Sequence, residues 1–165
     1  MKVAEHQVCL LLGSNIQPER NLPLAIDMLQ DRLTILRISF VWETFPVGSI
    51  GPNFLNAALL AQTPLSQNTL KSKILTPLEA KMGRRRSANK NAERPIDLDI
   101  VLFERVILDP TLLHFAHRAV PVSEIQPDID SEARKSLKEA AAKFMSESSI
   151  RLRPDVVLLN YWQPY

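Results

Sequence analysis

The sequence predicts an α+β fold: a βαββαβ sheet with helices on one face, followed by C-terminal additions. Three observations carry this. Val8–Leu12, Thr34–Glu43, Phe54–Gln62 and Ile96–Phe103 are apolar or alternating runs too short for typical helices, and they read as strands. Two longer stretches between them repeat apolar residues at helical spacing. The resulting order, β-α-β-β-α-β, is that of the split βαβ, or ferredoxin-like, sheet. At 165 residues, one domain spanning 1–165 is expected, large enough to bury a core.

Each element has its own signal. Val8–Leu12 is a buried strand, and Cys9, among apolar neighbours, is expected inside it. Gly13-Ser14-Asn15 closes the strand with a turn, since glycine permits tight geometry and Ser and Asn bond back to the backbone; such turns are most often structural. Pro18 opens a helix over about residues 18–32, where its missing N–H costs little, and Leu22, Ala25, Ile26, Leu29 and Leu33 form its apolar stripe. Thr34–Glu43 presents Ile35, Ile38, Phe40 and Trp42. A Gly- and Pro-punctuated loop, Thr44–Asn53, then joins it to Phe54–Gln62 as a hairpin whose tip is of the kind that carries function. Leu65–Lys81 is a second helix with Leu70, Ile74, Leu78 and Met82 on one face, and Pro77 predicts a kink or break near Thr76. Beyond the last core strand, Ser131–Ser146 is an amphipathic helix carrying Leu137, Ala140, Ala141 and Phe144. Val156–Leu159 is a strand or a core-facing chain end, and Trp162 and Tyr165 a packed or exposed terminus.

Composition narrows the function classes. An apolar fraction of 45% and a charged fraction of 23% are ordinary for a soluble protein. A net charge of +2 demands neither nucleic acid nor an anionic membrane; the positive charge is local, which suits a small anion. The single cysteine excludes an internal disulfide, so a reducing, cytoplasmic setting is expected. The first residues do not read as a signal peptide, and no stretch is long enough to span a membrane.

The chemistry concentrates in Gly83–Phe103. Six basic side chains (Lys81, Arg84, Arg85, Arg86, Lys90, Arg94) and one acidic one, Glu93, lie between Lys81 and Arg94. Asp97 and Asp99 follow on a strand, where alternate residues share a face, so the two carboxylates project together while Ile96, Leu98 and Ile100 face the core. Carboxylates so close resist joint ionisation unless a cation lies between them, and Mg²⁺ takes hard oxygen ligands of this kind. The pair alone also fits a solvated strand face neutralised by nearby arginines. Beside the basic loop, a metal-bound polyphosphate becomes the stronger reading.

At this point the chain resembles the 6-hydroxymethyl-7,8-dihydropterin pyrophosphokinases of folate biosynthesis. The matching pieces are LLLGSN (Leu10–Asn15), TxPxG (Thr44, Pro46, Gly48), FLNAA (Phe54–Ala58), GRxR (Gly83, Arg84, Arg86), RPIDLDIVLF (Arg94–Phe103) and PVSEIQPD (Pro121–Asp128), in family order over roughly residues 7–128. The resemblance implies a ferredoxin-like fold and transfer of the β,γ-pyrophosphoryl unit of ATP to a dihydropterin hydroxymethyl group, releasing AMP. It implies that Asp97 and Asp99 hold two Mg²⁺ ions, that Arg84 and Arg86 close over the phosphates, and that Arg94 adds a phosphate contact. Thr44, Pro46 and Val47 would offer backbone edges to the pterin, Asn56 would bind its amino-pyrimidinone edge and Phe54 would stack on the ring. His114 would contact ATP, with His117 competing for that role, and Arg118 would lie near the phosphates. Arg85 is expected to face solvent, and Lys90 is expected to be solvated or to reach phosphate on closure. The expected partners are ATP and a hydroxymethyl dihydropterin, with no nucleic acid or membrane, for a monomer or at most a weak homodimer.

The chain also departs from the family. Relatives sandwich the pterin between two aromatics, the second in a segment like HxRAFVLVPLxEIAPD. Here His117–Asp128 reads HRAVPVSEIQPD, and that phenylalanine is missing, which leaves Phe115 as a stand-in stacking partner. Asn91, Ala92 and Glu93 replace a Trp or Gly-Pro usual in the basic loop. Val106–Arg118 is shortened. Three readings therefore stand: the dihydropterin pyrophosphokinase itself, a relative acting on another pterin alcohol, and an inactive pterin- or nucleotide-binding protein.

Overall fold

The computed structural model describes residues 5–48, 50–85 and 92–158. Arg86, Lys90, Asn91, Leu159, Trp162 and Tyr165, all named above, lie outside them. The elements are β1 (His6–Ser14), α1 (Pro18–Gln30), β2 (Thr34–Ile38), β3 (Trp42–Thr44), β4 (Phe54–Thr63), α2 (Gln67–Leu70), α3 (Thr76–Lys81), β5 (Asp97–Phe103), β6 (Val106–Ile107), α4 (Ala116–Glu124), α5 (Ser131–Ser146) and β7 (Arg151–Leu152). The sheet runs β6-β5-β1-β4-β3-β7, with β2 also on β4, and every pairing is antiparallel. Its inner order, β5-β1-β4 and then β2 with β3, is the ferredoxin-like one expected.

Two expected elements come out subdivided. The strand Thr34–Glu43 is two pieces, β2 and β3, both paired to the long β4. At the break, Ser39 donates its N–H to Ala58 O at 2.9 Å and accepts Ala58 N–H on its hydroxyl at 2.8 Å, replacing ladder bonds. The helix 65–81 does not kink apart at Pro77. A π-turn, Lys71–Leu75, joins α2 to α3, with Thr76 N–H reaching Lys71 O. A wider turn accommodates a proline that lacks its own N–H.

Strand alternation divides the core. Val8, Leu10, Leu12, Leu98 and Ile96 face α1 and the α2–α3 helix, packing with Leu22, Ile26, Leu29, Leu70 and Leu75. Each such fully enclosed side chain contributes about 1.5–3 kcal/mol relative to exposure. Val156 and Leu158 join this core without forming a strand. Cys9, Leu11, Ala58 and Val101 face the other way, under α4 and α5, with Ala119, Val122 and Leu137. The helices of the βαββαβ unit thus share one face, and the C-terminal additions cover part of the other.

Half-buried Glu124, at the end of α4, fixes that covering. Its carboxylate accepts Trp42 Nε1–H at 3.1 Å and Phe40 N–H at 2.9 Å, at the β2–β3 break. Arg37 donates to Ile125 O at 3.1 Å and Gln126 O at 3.3 Å, beyond the last turn of α4. With this end pinned, the first turn of α4 comes to the rim of the uncovered part of the sheet.

Candidate active site

Where α4 and α5 leave the sheet bare, a cavity of about 270 Å³ opens. Strand register builds its floor. Asp97 pairs with Gly13, Gly13 with Asn56, and Asn56 with Trp42; one step along, Asp99 pairs with Leu11. Gly13 keeps the row open, because a Cβ there would stand 3.4 Å from Asn56 Oδ1 and 3.9 Å from Phe54 Cδ1. Asn56 is buried and oriented by its own amide: Nδ2 donates to Trp42 O at 3.2 Å and Thr44 Oγ1 at 3.0 Å, leaving Oδ1 beside Gly13 as an acceptor.

The carboxylates are surrounded by cations. Asp97 pairs with Arg84 and, at 2.7 Å, with Arg94. Arg84 also bonds Glu79 at 2.5 Å. Lys71 Nζ lies 3.7 Å from Asp99. Burial, and then the neighbouring Asp97 charge, push the Asp99 carboxyl above its usual range, so a cation shared by the pair would relieve it. Burial likewise raises Glu79 despite its bond from Leu98 N–H and the Arg84 charge. The turn Gly13-Ser14-Asn15 clasps the end of the basic loop: Arg94 N–H donates to Asn15 Oδ1 at 2.8 Å, Asn15 N–H to Arg94 O at 3.2 Å, and Ser14 Oγ to Pro95 O at 2.6 Å. These bonds hold the backbone from which Arg94 reaches Asp97.

The opposite wall belongs to the start of α4. Phe115 and His117 stack at 5.5 Å between ring centroids and both line the cavity, as does Arg118. Burial, and then the Arg118 charge, lower His117 to about 4, so its ring is neutral at physiological pH. Arg118 is held by Asp109, which also accepts from Thr111 N–H at 2.9 Å and its hydroxyl at 2.7 Å. Arg118 Nε is buried without a hydrogen-bond partner among the described residues. His114 is exposed and outside the lining.

The cavity lining therefore gathers Thr44, Pro46, Val47, Phe54, Asn56, Arg94, Asp97, Asp99, Arg118 and His117 from the expected set. Arg84 reaches it through Asp97. Arg85 is exposed, as expected. Glu79, Lys71 and Asp109 were not singled out from the sequence. A helical glutamate or lysine reads as solvated surface until the strand edge it faces is known.

The family model for 7,8-dihydro-6-hydroxymethylpterin-pyrophosphokinase (HPPK) matches residues 9–127. The chain is 35% identical over 155 residues to the 2-amino-4-hydroxy-6-hydroxymethyldihydropteridine pyrophosphokinase of Aquifex aeolicus, covering 87% of this chain and 93% of that one. It is 32% identical over 112 residues to the folate synthesis bifunctional protein of Arabidopsis thaliana, covering 65% of this chain and 23% of the relative. A crystal structure of Plasmodium falciparum HPPK-DHPS aligns over 93% of this chain and 38% of that one, at 11% identity and a TM-score of 0.47. The chain thus spans under a quarter of the bifunctional plant relative and nearly all of the Aquifex enzyme. It belongs to the 7,8-dihydro-6-hydroxymethylpterin-pyrophosphokinase family.

Proposed function

We propose that the protein transfers the β,γ-pyrophosphoryl unit of ATP to the hydroxymethyl oxygen of 6-hydroxymethyl-7,8-dihydropterin, giving AMP and the dihydropterin diphosphate. The observation that carries this is a single cavity with a carboxylate pair at one end and a preset amide acceptor beside an aromatic ring at the other. The hydroxyl oxygen forms a bond to the β-phosphorus, the bond from that phosphorus to the bridging oxygen of the α-phosphate breaks, AMP carries that oxygen away, and the hydroxyl proton goes to solvent. Such a transfer needs alignment and charge neutralisation rather than a covalent enzyme intermediate.

The residues divide the work. Asn56 Oδ1 accepts the ring's amino group, Thr44, Pro46 and Val47 supply backbone edges, and Phe54 stacks on one ring face. Phe115 and His117 supply the other face, in place of the phenylalanine missing from the sequence. Arg84, Arg94 and Arg118 contact phosphates, joined on the motif's evidence by Arg86; His114, exposed at the rim, is the adenosine-side contact.

Asp97 and Asp99 suit Mg²⁺. They are hard donors on one face, and no group of three His, Cys, Asp or Glu among the described residues would hold an ion unaided. Two carboxylates with phosphate and water completing the shell is the usual composition of a Mg²⁺–nucleotide site. The resemblance implies two ions, which would neutralise the phosphate oxygens. The buried free Cys9 suits a reducing cytosol, so we read the protein as cytoplasmic.

The replaced aromatic wall favours one second reading, a different pterin alcohol as acceptor. AMP release from Mg²⁺ and ATP, with and without 6-hydroxymethyl-7,8-dihydropterin, separates the two. AMP formed only with that pterin, together with a diphosphate product by mass, supports the first. No AMP with it but AMP with another pterin alcohol supports the second.

A further inference from the structure

Leu98, between the two aspartates, has both backbone polar groups turned away from β1. On that side β6 covers only Leu102 and Phe103, so among the described residues no strand meets them. Two side chains of the neighbouring helix take the strand's place. Glu79 accepts Leu98 N–H at 2.7 Å, and Lys71 Nζ donates to Leu98 O at 3.0 Å. Each then continues into the charged site: Glu79 bonds Arg84, which pairs with Asp97, and Lys71 approaches Asp99.

The helix geometry explains how both reach one residue. Eight α-helical residues advance 800°, leaving Lys71 and Glu79 roughly 80° apart around the axis. The π-turn Lys71–Leu75 lies between them and absorbs one residue. The remaining seven bring the two within roughly 20° of one line, two turns apart. A π-turn that aligns two charged side chains on one target is the kind found at functional sites.

We propose that Lys71 and Glu79, aligned by the π-turn, are positioning residues that clamp Leu98 and so hold Asp97 and Asp99 in their working spacing, with Glu79 also stationing Arg84 beside Asp97. This rests on the pyrophosphokinase reading for its effect on turnover, but the clamp itself does not.

The test uses Lys71→Met, Lys71→Arg, Glu79→Gln and Glu79→Ala in the full chain, with steady-state kinetics and hydrogen exchange at the Leu98 amide. Lys71→Met is expected to lower kcat by about tenfold to a hundredfold, with KM for ATP and pterin changed less than about threefold. Lys71→Arg restores most of that loss. Glu79→Gln, which keeps the amide acceptor, lowers kcat through Arg84 while Leu98 exchange stays slow; Glu79→Ala accelerates it. Wild-type kcat in Lys71→Met, or a rise in KM for ATP alone, overturns the clamp, the latter marking Lys71 as a phosphate ligand. If the wild-type chain makes no AMP, the pyrophosphokinase reading fails by itself. Leu98 exchange then decides: faster in Glu79→Ala supports the clamp, and unchanged exchange refutes it. Should Glu79→Ala not fold, Leu98 exchange in Glu79→Asp, whose shorter side chain withdraws the acceptor from Leu98 N–H, decides in the same way.

Discussion

The floor of the cavity and its far wall are built by different physics. On the floor, Asp97, Gly13 and Asn56 occupy one row because three strands are in register, and a slip of one residue would turn all of them to the opposite face. On the far wall, Phe115, His117 and Arg118 owe their position to where α4 begins, and α4 is pinned at its other end through Glu124. The floor is dictated by periodicity, the wall by a remote anchor. Floor residues should therefore tolerate almost no change, while the wall can exchange one aromatic for another.

The largest effect that could break this contrast is on the floor. Asp97→Ala or Asp99→Ala is expected to lower turnover at least about a thousandfold, because charge stabilisation of the phosphates is lost. A variant within tenfold of wild type in a single-turnover AMP assay would remove the metal role. Next comes the ring site. Phe54→Ala should weaken pterin binding by about 1–3 kcal/mol, the range for losing an aromatic stacked on a heterocycle. His117→Ala should cost less, since Phe115 remains behind it; calorimetry giving the reverse order would make the wall the dominant face.

His117 also sharpens the contrast through pH. Its folded value of about 4 lies below the ordinary 6.5, so between them the unfolded chain binds a proton that the folded chain does not. Stability falls as pH drops through that window. His117→Phe should flatten this part of the stability profile in denaturant titrations at pH 7 and pH 5. The smallest effect concerns Asp99. Its folded value is raised above 3.8, so its favourable contribution is present at acid pH and lost as pH rises through that folded value. Asp99→Asn should therefore raise the midpoint of the ligand-free protein by roughly two degrees at pH 7 in thermal scans, and by less at pH 5.

What was legible in the sequence follows the same division. The strand carrying Asp97 and Asp99, the inward Leu98, the buried Cys9 and the order of the sheet could be read, because a period of two leaves its mark within a few residues. The β2–β3 break could not, since it depends on Ser39 bonding a strand nineteen residues away. The π-turn was visible only as a proline warning, whose result depends on what the widened turn packs against. That His117 lines the cavity and His114 does not depends on the start of α4, which local pattern does not fix. Glu79 and Lys71 carry no mark in the sequence because the residue they cap, Leu98, lies nineteen and twenty-seven residues on.

The most direct measurement is a crystal structure with Mg²⁺, an ATP analogue that cannot be cleaved between its α- and β-phosphates, and the hydroxymethyl pterin. The account predicts the ring between Phe54 and His117 with its amino group on Asn56 Oδ1. It also predicts the β-phosphate beside Asp97 and Asp99 within reach of the hydroxymethyl oxygen. A pterin bound away from Asn56, or a triphosphate that leaves Asp97 paired with Arg84 and Arg94, would contradict it.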